Sequence, residues 1–249
     1  MGSPSDPDRG GAPVGRGPQV AVLLACLAAV RGGAPRVLRV RGQAGSGRTS
    51  LLRWALGSAP DVVGVWVPGH PDERELPGEA ARQVLRGLGV DDDLPATAPA
   101  AGDRLLAALL EAQRRTPVAV VLDDAEHVDD ESLRAFGHLV RRLRSGRVLV
   151  AVTTGGGETP LLGHQPAARA AQARVAGQLG GTAVPPVLVE LPPLDVAAVA
   201  ELAGGAEPEL LERLVRFGAG NPALLLAIAA EAELAGPFAP PVPTAVLDP

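Results

Sequence analysis

The sequence predicts an α/β fold of three layers, a five-stranded parallel sheet between helices, with a small α-helical lid appended. Three observations predict it. Short apolar runs of strand length alternate with helix-length segments as far as residue 191, strand-like runs stop after Pro193, and the first run leads straight into a glycine-rich loop. Strands that read as continuous apolar runs belong to a parallel sheet covered on both faces.

The elements follow in order. Residues 1–14, MGSPSDPDRGGAPV, are rich in Gly, Pro, Ser and Asp and are expected to be disordered. The run VAVLLACLAAV (Val20–Val30) is too short to span a bilayer, which takes roughly 20 apolar residues. It lies behind Asp6 and Asp8, and no small-x-small cleavage site follows, so a signal peptide is the weaker alternative. Val20, Leu23, Leu24, Leu27 and Val30 instead form one helical stripe, with Cys26 as a small apolar residue on that helix. RVLRV (Arg36–Val40) is the first strand, and a helix is expected from Thr49 to Leu56. DVVGVWV (Asp61–Val67) is the second strand, followed by a helix over Glu79–Leu88 and an acidic, Pro/Ala-rich loop over Asp91–Gly102. A helix over Arg104–Arg114 feeds PVAVVLDD (Pro117–Asp124), an apolar strand ending in two aspartates. A helix over Glu131–Leu143 leads to RVLVAVTT (Arg147–Thr154), the fourth strand. The loop GGGETPLLG, a helix over Ala167–Leu179 and the fifth strand PVLVEL (Pro186–Leu191) complete the sheet. Three short helices closed by Gly then form the lid. The expected division is a tail 1–14, a core 15–191, a lid 192–236 and a proline-rich linker or cut end 237–249.

Composition narrows the function. The chain is 46% hydrophobic but only 2% aromatic, so Ala, Leu and Val must fill the core. A net charge of −5 argues against a nucleic-acid-binding surface, which shows as a basic excess. All 23 basic residues are arginine; lysine and tyrosine are absent, and Ile228 and Asn221 are the sole members of their types. Residues with AT-rich codons are missing together, which points to a GC-rich genome. The single cysteine excludes an internal disulfide and fits a reducing, cytoplasmic location. No CxxC, HExxH or other His/Cys spacing for a protein-held transition metal occurs.

The glycine-rich loop is GQAGSGRT, Gly42–Thr49. It fits the phosphate-binding pattern G-x-x-x-x-G-K-[ST] except that Arg48 stands in the lysine position. Glycines suit such a loop because backbone N–H groups must turn inward around phosphates, and the following helix adds its positive end. Gly42, Gly45, Ser46, Gly47, Arg48, Thr49 and Ser50 are therefore candidates to bind phosphate, with Thr49 placing a hydroxyl on Mg²⁺. The alternative is an ordinary glycine-rich strand–helix turn. The second motif, VAVVLDD, comes where a P-loop nucleoside-triphosphatase (NTPase) fold places its second acidic strand. Asp123 would hold the Mg²⁺ opposite Thr49, and Asp124 would orient or deprotonate the attacking water. The alternative there is a strand end with two solvated acids. Glu126, two residues beyond, is a candidate substitute base if the strand continues, and His127 reads as solvated or structural. RRLRSGR (Arg141–Arg147), Arg169 and Arg174 compete for an arginine-finger role. For the first of these, a solvated helix end complementing the dipole is the simpler reading.

GRGPQVAVLLACLAAVRGG, VLDDAEHVDDESLRAFGHLVRRL and GAGNPALLLAIAAE together resemble the STAND-class, AAA-like ATPase module. In particular they resemble the Orc1-like AAA domain of large ATP-binding LuxR-type transcriptional regulators, from about Gly15 to Leu234. The resemblance implies an ATP–Mg²⁺ site in which Arg16, in the Gly15-Arg16-Gly17 segment, packs near the adenine. Here the acid that usually follows that arginine is missing. It implies a lid carrying Gly220-Asn221-Pro222, with Asn221 and Pro222 at the nucleotide; Asn221 also suits a helix N-cap. The strand that ends in Thr-Arg in that family, a sensor of the γ-phosphate, ends here in Thr153-Thr154-Gly155.

Arginine keeps the charge of the P-loop lysine and grips phosphate well, but it is longer and its charge is spread over a plane. If transition-state contact drops by ~3 kcal/mol, the rate falls about a hundredfold. Asp124 in place of a longer glutamate, and the missing sensor arginine, point the same way. The expectation is an ATP–Mg²⁺-binding switch of a signal-transduction or transcriptional regulator with slow or impaired hydrolysis. The nucleotide would lie between core and lid, and the segment itself would bind neither DNA nor membrane. Its partners would be ATP and ADP, further copies of itself, or other domains of a regulator. The alternatives are a competent ATPase activated by assembly, a degenerate scaffold that binds no nucleotide, and, less well matched, a small-molecule kinase.

Overall fold

The computed structural model describes residues 12–156, 166–204 and 206–235. Residues 1–11 of the expected tail, most of the GGGETPLLG loop and the proline-rich end lie outside the described residues, as does the side chain of Arg169. The chain falls into two compact units divided between Pro192 and Pro193.

The first unit is built on a five-stranded, wholly parallel sheet: β1 (Arg36–Gly42), β2 (Val63–Pro68), β3 (Val118–Asp123), β4 (Val148–Gly155) and β5 (Val187–Leu191), in the order β2-β3-β4-β1-β5. β3 is buried at every position and β4 at all but its last, because both faces of the sheet are covered. Side chains alternate between two apolar clusters. Val118, Val120, Leu122, Val148, Val150 and Val152 pack with helices α3 (Glu79–Gly87), α4 (Ala98–Ala112), α5 (Asp130–Arg142) and α6 (Pro166–Gln178). Ala119, Val121, Leu149, Ala151, Leu38 and Val40 pack with α1 (Gly17–Arg31) and α2 (Arg48–Gly57). The expected three layers and five parallel strands are therefore present. Phe136 is the largest fully buried side chain; Leu, Val and Ala make up most of the core.

Two local expectations need correction. Leu24 is 41% exposed and Cys26 takes its place in the buried stripe with Val20, Leu23, Leu27 and Val30. The stripe centres on Leu23 and Leu27, and Leu24 falls at its edge. The stretch 98–102 is not loop but the first turn of α4. Thr97 caps it by accepting from the Ala100 amide, and Pro99 sits in the first turn, where its missing N–H costs nothing.

The second unit holds α7 (Val196–Leu202), α8 (Pro208–Gly218) and α9 (Pro222–Ala235). Asn221 caps α9, its Oδ1 accepting from the Ala223 amide at 3.0 Å, and Pro222 opens the helix. Gly220, at φ +67°, accepts through its carbonyl from the Leu194 amide at 2.7 Å. No helix among the described residues is long and apolar enough to cross a membrane.

Candidate functional site

The candidate site lies where β1, β3 and β4 end. β4 is inserted between β1 and β3, so the glycine loop and the acidic pair are not on neighbouring strands. Side chains must connect them.

β1 ends at Gly42, and the chain turns through Gly45 (φ +77°) and Gly47 (φ +91°) into α2. Both glycines are in the left-handed region that a Cβ disfavours. Gly42 is glycine for a different reason: a Cβ there would stand 2.3 Å from Ser46 Oγ, which packs over it. Ser46 is buried, and its Oγ has no hydrogen-bond partner. No side chain caps α2 at Gly47, and its first turn carries no acid. The first N–H groups of a helix have no partner within it. Here they are left for a ligand, at the end of the helix that attracts anions. Two left-handed glycines leading into an uncapped helix start fit a phosphate chain.

Thr49, on the first turn of α2, donates through Oγ1 to Asp123 Oδ2 at 2.8 Å. The other carboxylate oxygen of Asp123 accepts from Thr153 Oγ1 at 2.6 Å, and that same hydroxyl accepts from the Asp124 amide at 2.7 Å. Thr153 is thus the bridge from β4 that aligns the acidic pair, and it is fully buried. Among the described residues no three His, Cys, Asp or Glu side chains gather as a metal cage. One hydroxyl and one carboxylate suit Mg²⁺, which completes its shell with water and phosphate oxygens.

Asp124 leaves the strand with φ +47° and ψ +53°. That conformation costs a non-glycine residue about 1–2 kcal/mol, less for Asp, and turns the carboxylate toward Arg48. Arg48 Nη2 donates to Asp124 Oδ1 at 2.6 Å and Nη1 donates to the Gly42 carbonyl at 2.8 Å. Both branches of the guanidinium are engaged, and the side chain is one-tenth exposed. Burial holds the Asp124 carboxyl above its ordinary pKa; Arg48 pulls it down, Asp123 and Glu126 push it up, and His127 opposes them.

Glu126 sits in a 3₁₀ turn, Ala125–His127, not on a continued strand. The turn brings its Oε1 to the Gly155 amide at 2.8 Å. Arg16, expected near an adenine, bonds backbone: Nη2 to the Ser46 carbonyl at 3.1 Å and Nη1 to the Pro192 carbonyl at 2.6 Å. It is buried, which lowers its pKa, and it ties the glycine loop to the residue after β5. Arg174 bonds Asp130 and the carbonyls of Glu126 and Val128, so it braces its own chain. Arg147 bonds the carbonyls of Gln113 and Arg114, and Arg142 lies beside His138 and Asp103. Ser50 is exposed on α2.

Two contributors escaped the sequence reading. Thr153 was noted only as part of a strand end, although a fully buried hydroxyl in a strand requires partners. Asp129 caps α5 through the Ser132 amide at 2.8 Å and also accepts from the Gly78 amide at 2.8 Å. It thereby anchors the segment between β3 and α5 to the start of α3.

A family profile described as "AAA ATPase domain" matches residues 12–151, more than half of the chain and all of the two motifs. The chain belongs to the AAA ATPase domain family. Solved structures share the fold of this AAA domain. Cdc6p from Pyrobaculum aerophilum is 20% identical, with a TM-score of 0.57 over 91% of this chain and 62% of that one. A Walker-type ATPase of Pyrococcus abyssi is 15% identical, with a TM-score of 0.55 over 86% of this chain and 66% of that one. AMPPCP-bound DnaA from Aquifex aeolicus is 15% identical, with a TM-score of 0.52 over 89% and 62%. The chain therefore spans less than two thirds of the length of each. No curated protein matches its sequence.

Proposed function

We propose that this AAA domain is a nucleotide-binding switch that holds ATP–Mg²⁺ at Gly42–Ser50 and turns it over slowly. The observation that carries the reading is the engagement of Arg48. The loop's one cationic side chain is bound to Asp124 and to the Gly42 carbonyl. Its planar fork must leave Asp124 to reach a phosphate. The uncapped start of α2 then supplies backbone N–H groups, and Thr49 and Asp123 would hold Mg²⁺, which neutralises charge developing on the phosphate oxygens. Bound triphosphate favours the state in which the Arg48–Asp124 pair is open, and its loss favours the closed one. The loop backbone is braced by Arg16 in either state.

Membership of a LuxR-type or other signal-transduction regulator rests on the resemblance of the Gly15–Gly17, Leu122–Asp129 and Gly220–Pro222 segments. In that setting Asn221 and Pro222 read the nucleotide, and the partners are further copies or neighbouring domains. The intact Thr49–Asp123 pair favours a second reading, a competent ATPase switched on by assembly. Phosphate release from Arg48→Lys separates the two. The switch reading predicts that Arg48→Lys raises kcat about a hundredfold (~3 kcal/mol) while both proteins bind ATP–Mg²⁺. Equal kcat with intact binding, and turnover rising with protein concentration, selects the assembly-activated ATPase.

A further inference from the structure

We propose that Arg16 is a positioning residue for the phosphate chain: it aims the Gly47 N–H, and it makes nucleotide affinity depend on how the chain leaves β5. The inference rests on the nucleotide-binding reading above and concerns the same loop.

Arg16 is placed by the approach to α1. Gly15 turns at φ +67°, and Arg16 is then the N-cap residue of the helix. Its buried guanidinium donates to two carbonyls and, among the described residues, pairs with no carboxylate. The residue that follows, Gly17, offers no acid to compete for it. A buried cation without a counter-charge is costly, and an anion drawn to the neighbouring loop offsets part of that cost.

One branch of the guanidinium sets a peptide plane. Nη2 donates to the Ser46 carbonyl at 3.1 Å. That carbonyl shares its plane with the Gly47 N–H. No peptide among the described residues is cis, and in a trans peptide the C=O and N–H point to opposite sides. Holding the carbonyl therefore aims the Gly47 N–H away from Arg16. That N–H has no hydrogen-bond partner among the described residues. It stands where the loop passes into α2, beside the uncapped first turn. A cation on a carbonyl also polarises the peptide and strengthens its N–H as a donor. Arg16 thus acts on a phosphate through the backbone, without touching it.

The other branch reaches the end of the sheet. Nη1 donates to the carbonyl of Pro192, the last residue of the first unit, at 2.6 Å. The ring of Pro192 fixes its own φ, and Pro193 behind it restricts its ψ. Both dihedrals that aim this carbonyl are limited, so it is a rigid acceptor. Leu191 is the register partner of Gly42, which brings the end of β5 beside the start of the loop. A planar fork that spans two fixed acceptors transmits a shift of one to the other. The two are then linked reciprocally: displacing Pro192 weakens the nucleotide, and the nucleotide holds Pro192.

The test compares Mg²⁺ complexes of β,γ-imido ATP and of tripolyphosphate, which has the phosphates but no base, by titration calorimetry on the full chain. Arg16→Met keeps the length of the side chain and removes both donors. It should weaken both ligands by the same factor, about tenfold. Arg16→Lys keeps the charge without the fork and should lose about threefold. Pro193→Gly, which frees the Pro192 carbonyl and leaves Arg16 intact, should also lose about threefold. Added to Arg16→Met it should cost nothing more, because both act through one contact. Arg16→Met affinities within about twofold of wild type, whatever the change in melting temperature, mark a structural brace and overturn the proposal. Loss of imido-ATP binding with tripolyphosphate unchanged places Arg16 at the base and also overturns it, as does a wild type that binds imido-ATP but not tripolyphosphate. Pro193→Gly without effect, or additive with Arg16→Met, overturns the link to Pro192. In each of these cases nucleotide binding stands. If the wild type binds neither ligand, both readings fall.

Discussion

Replacing Asp124 with asparagine should tighten nucleotide binding. Arg48 donates to Asp124 at 2.6 Å, and that contact must open before the guanidinium meets a phosphate. The side chains are 10% and 43% exposed, so the pair is neither a solvated surface pair nor a fully buried one. After discounting for water around Asp124, its net worth is about 1 kcal/mol. Tenfold in Kd corresponds to about 1.4 kcal/mol, so Asp124→Asn should lower the Kd about fivefold. Asparagine tolerates the left-handed backbone at this position, which leaves the turn into Glu126 undisturbed. Isothermal titration with Mg²⁺ and β,γ-imido ATP measures the change free of turnover. An unchanged Kd would show that the pair does not compete with the nucleotide. A weaker one would show that Asp124 contacts the bound metal or phosphate, and either result refutes the reasoning.

Two further predictions concern stability. Burial, reinforced by Asp123 and Glu126, raises the Asp124 pKa in the folded state despite Arg48, so the native protein binds that proton more tightly than the unfolded chain does. Its contribution to stability is full below the unfolded pKa and is lost as pH rises through the folded one. The melting temperature of wild type relative to Asp124→Asn should therefore decline across that window, and a flat difference would contradict the assignment. Thr153→Val keeps the volume but strips the Asp124 amide and one Asp123 oxygen of their partner. That should cost about 2 kcal/mol, or roughly 4–8 °C in a unit of this size, and a shift under 1 °C would show that the hydroxyl bridge is dispensable.

Sheet and loop were legible because their causes are local. A strand covered on both faces must be apolar throughout, and the glycine loop is written in consecutive residues. The start of α4 was misread because Ala98, Pro99 and Ala100 share their composition with loops, while Thr97 and Pro99 are a helix opening when taken together. Leu24 was misplaced because it sits on the border of the α1 stripe, and only the neighbouring elements decide which side is covered. Within the site, the pairing of Thr49 with Asp123 followed from the motifs. The link through Thr153 did not, because it depends on β4 lying between β1 and β3. Glu126 was noticed for the wrong reason: the strand does not continue, and a tight turn after Asp124 returns the acid to Gly155. Arg16 was read toward a base, and its contacts with two distant carbonyls follow from packing alone.

The most direct test of the central claim is a thermal melt of the wild type with and without ATP–Mg²⁺, beside Arg48→Ala. A ligand at 100 times its Kd stabilises the folded state by about 2.7 kcal/mol, which for a domain of this size raises the midpoint by roughly 5–10 °C. The loop geometry predicts that rise in the wild type and a much smaller one in Arg48→Ala. No rise in the wild type would mean that the loop holds no nucleotide and that Arg48 and Asp124 only fasten a structural turn.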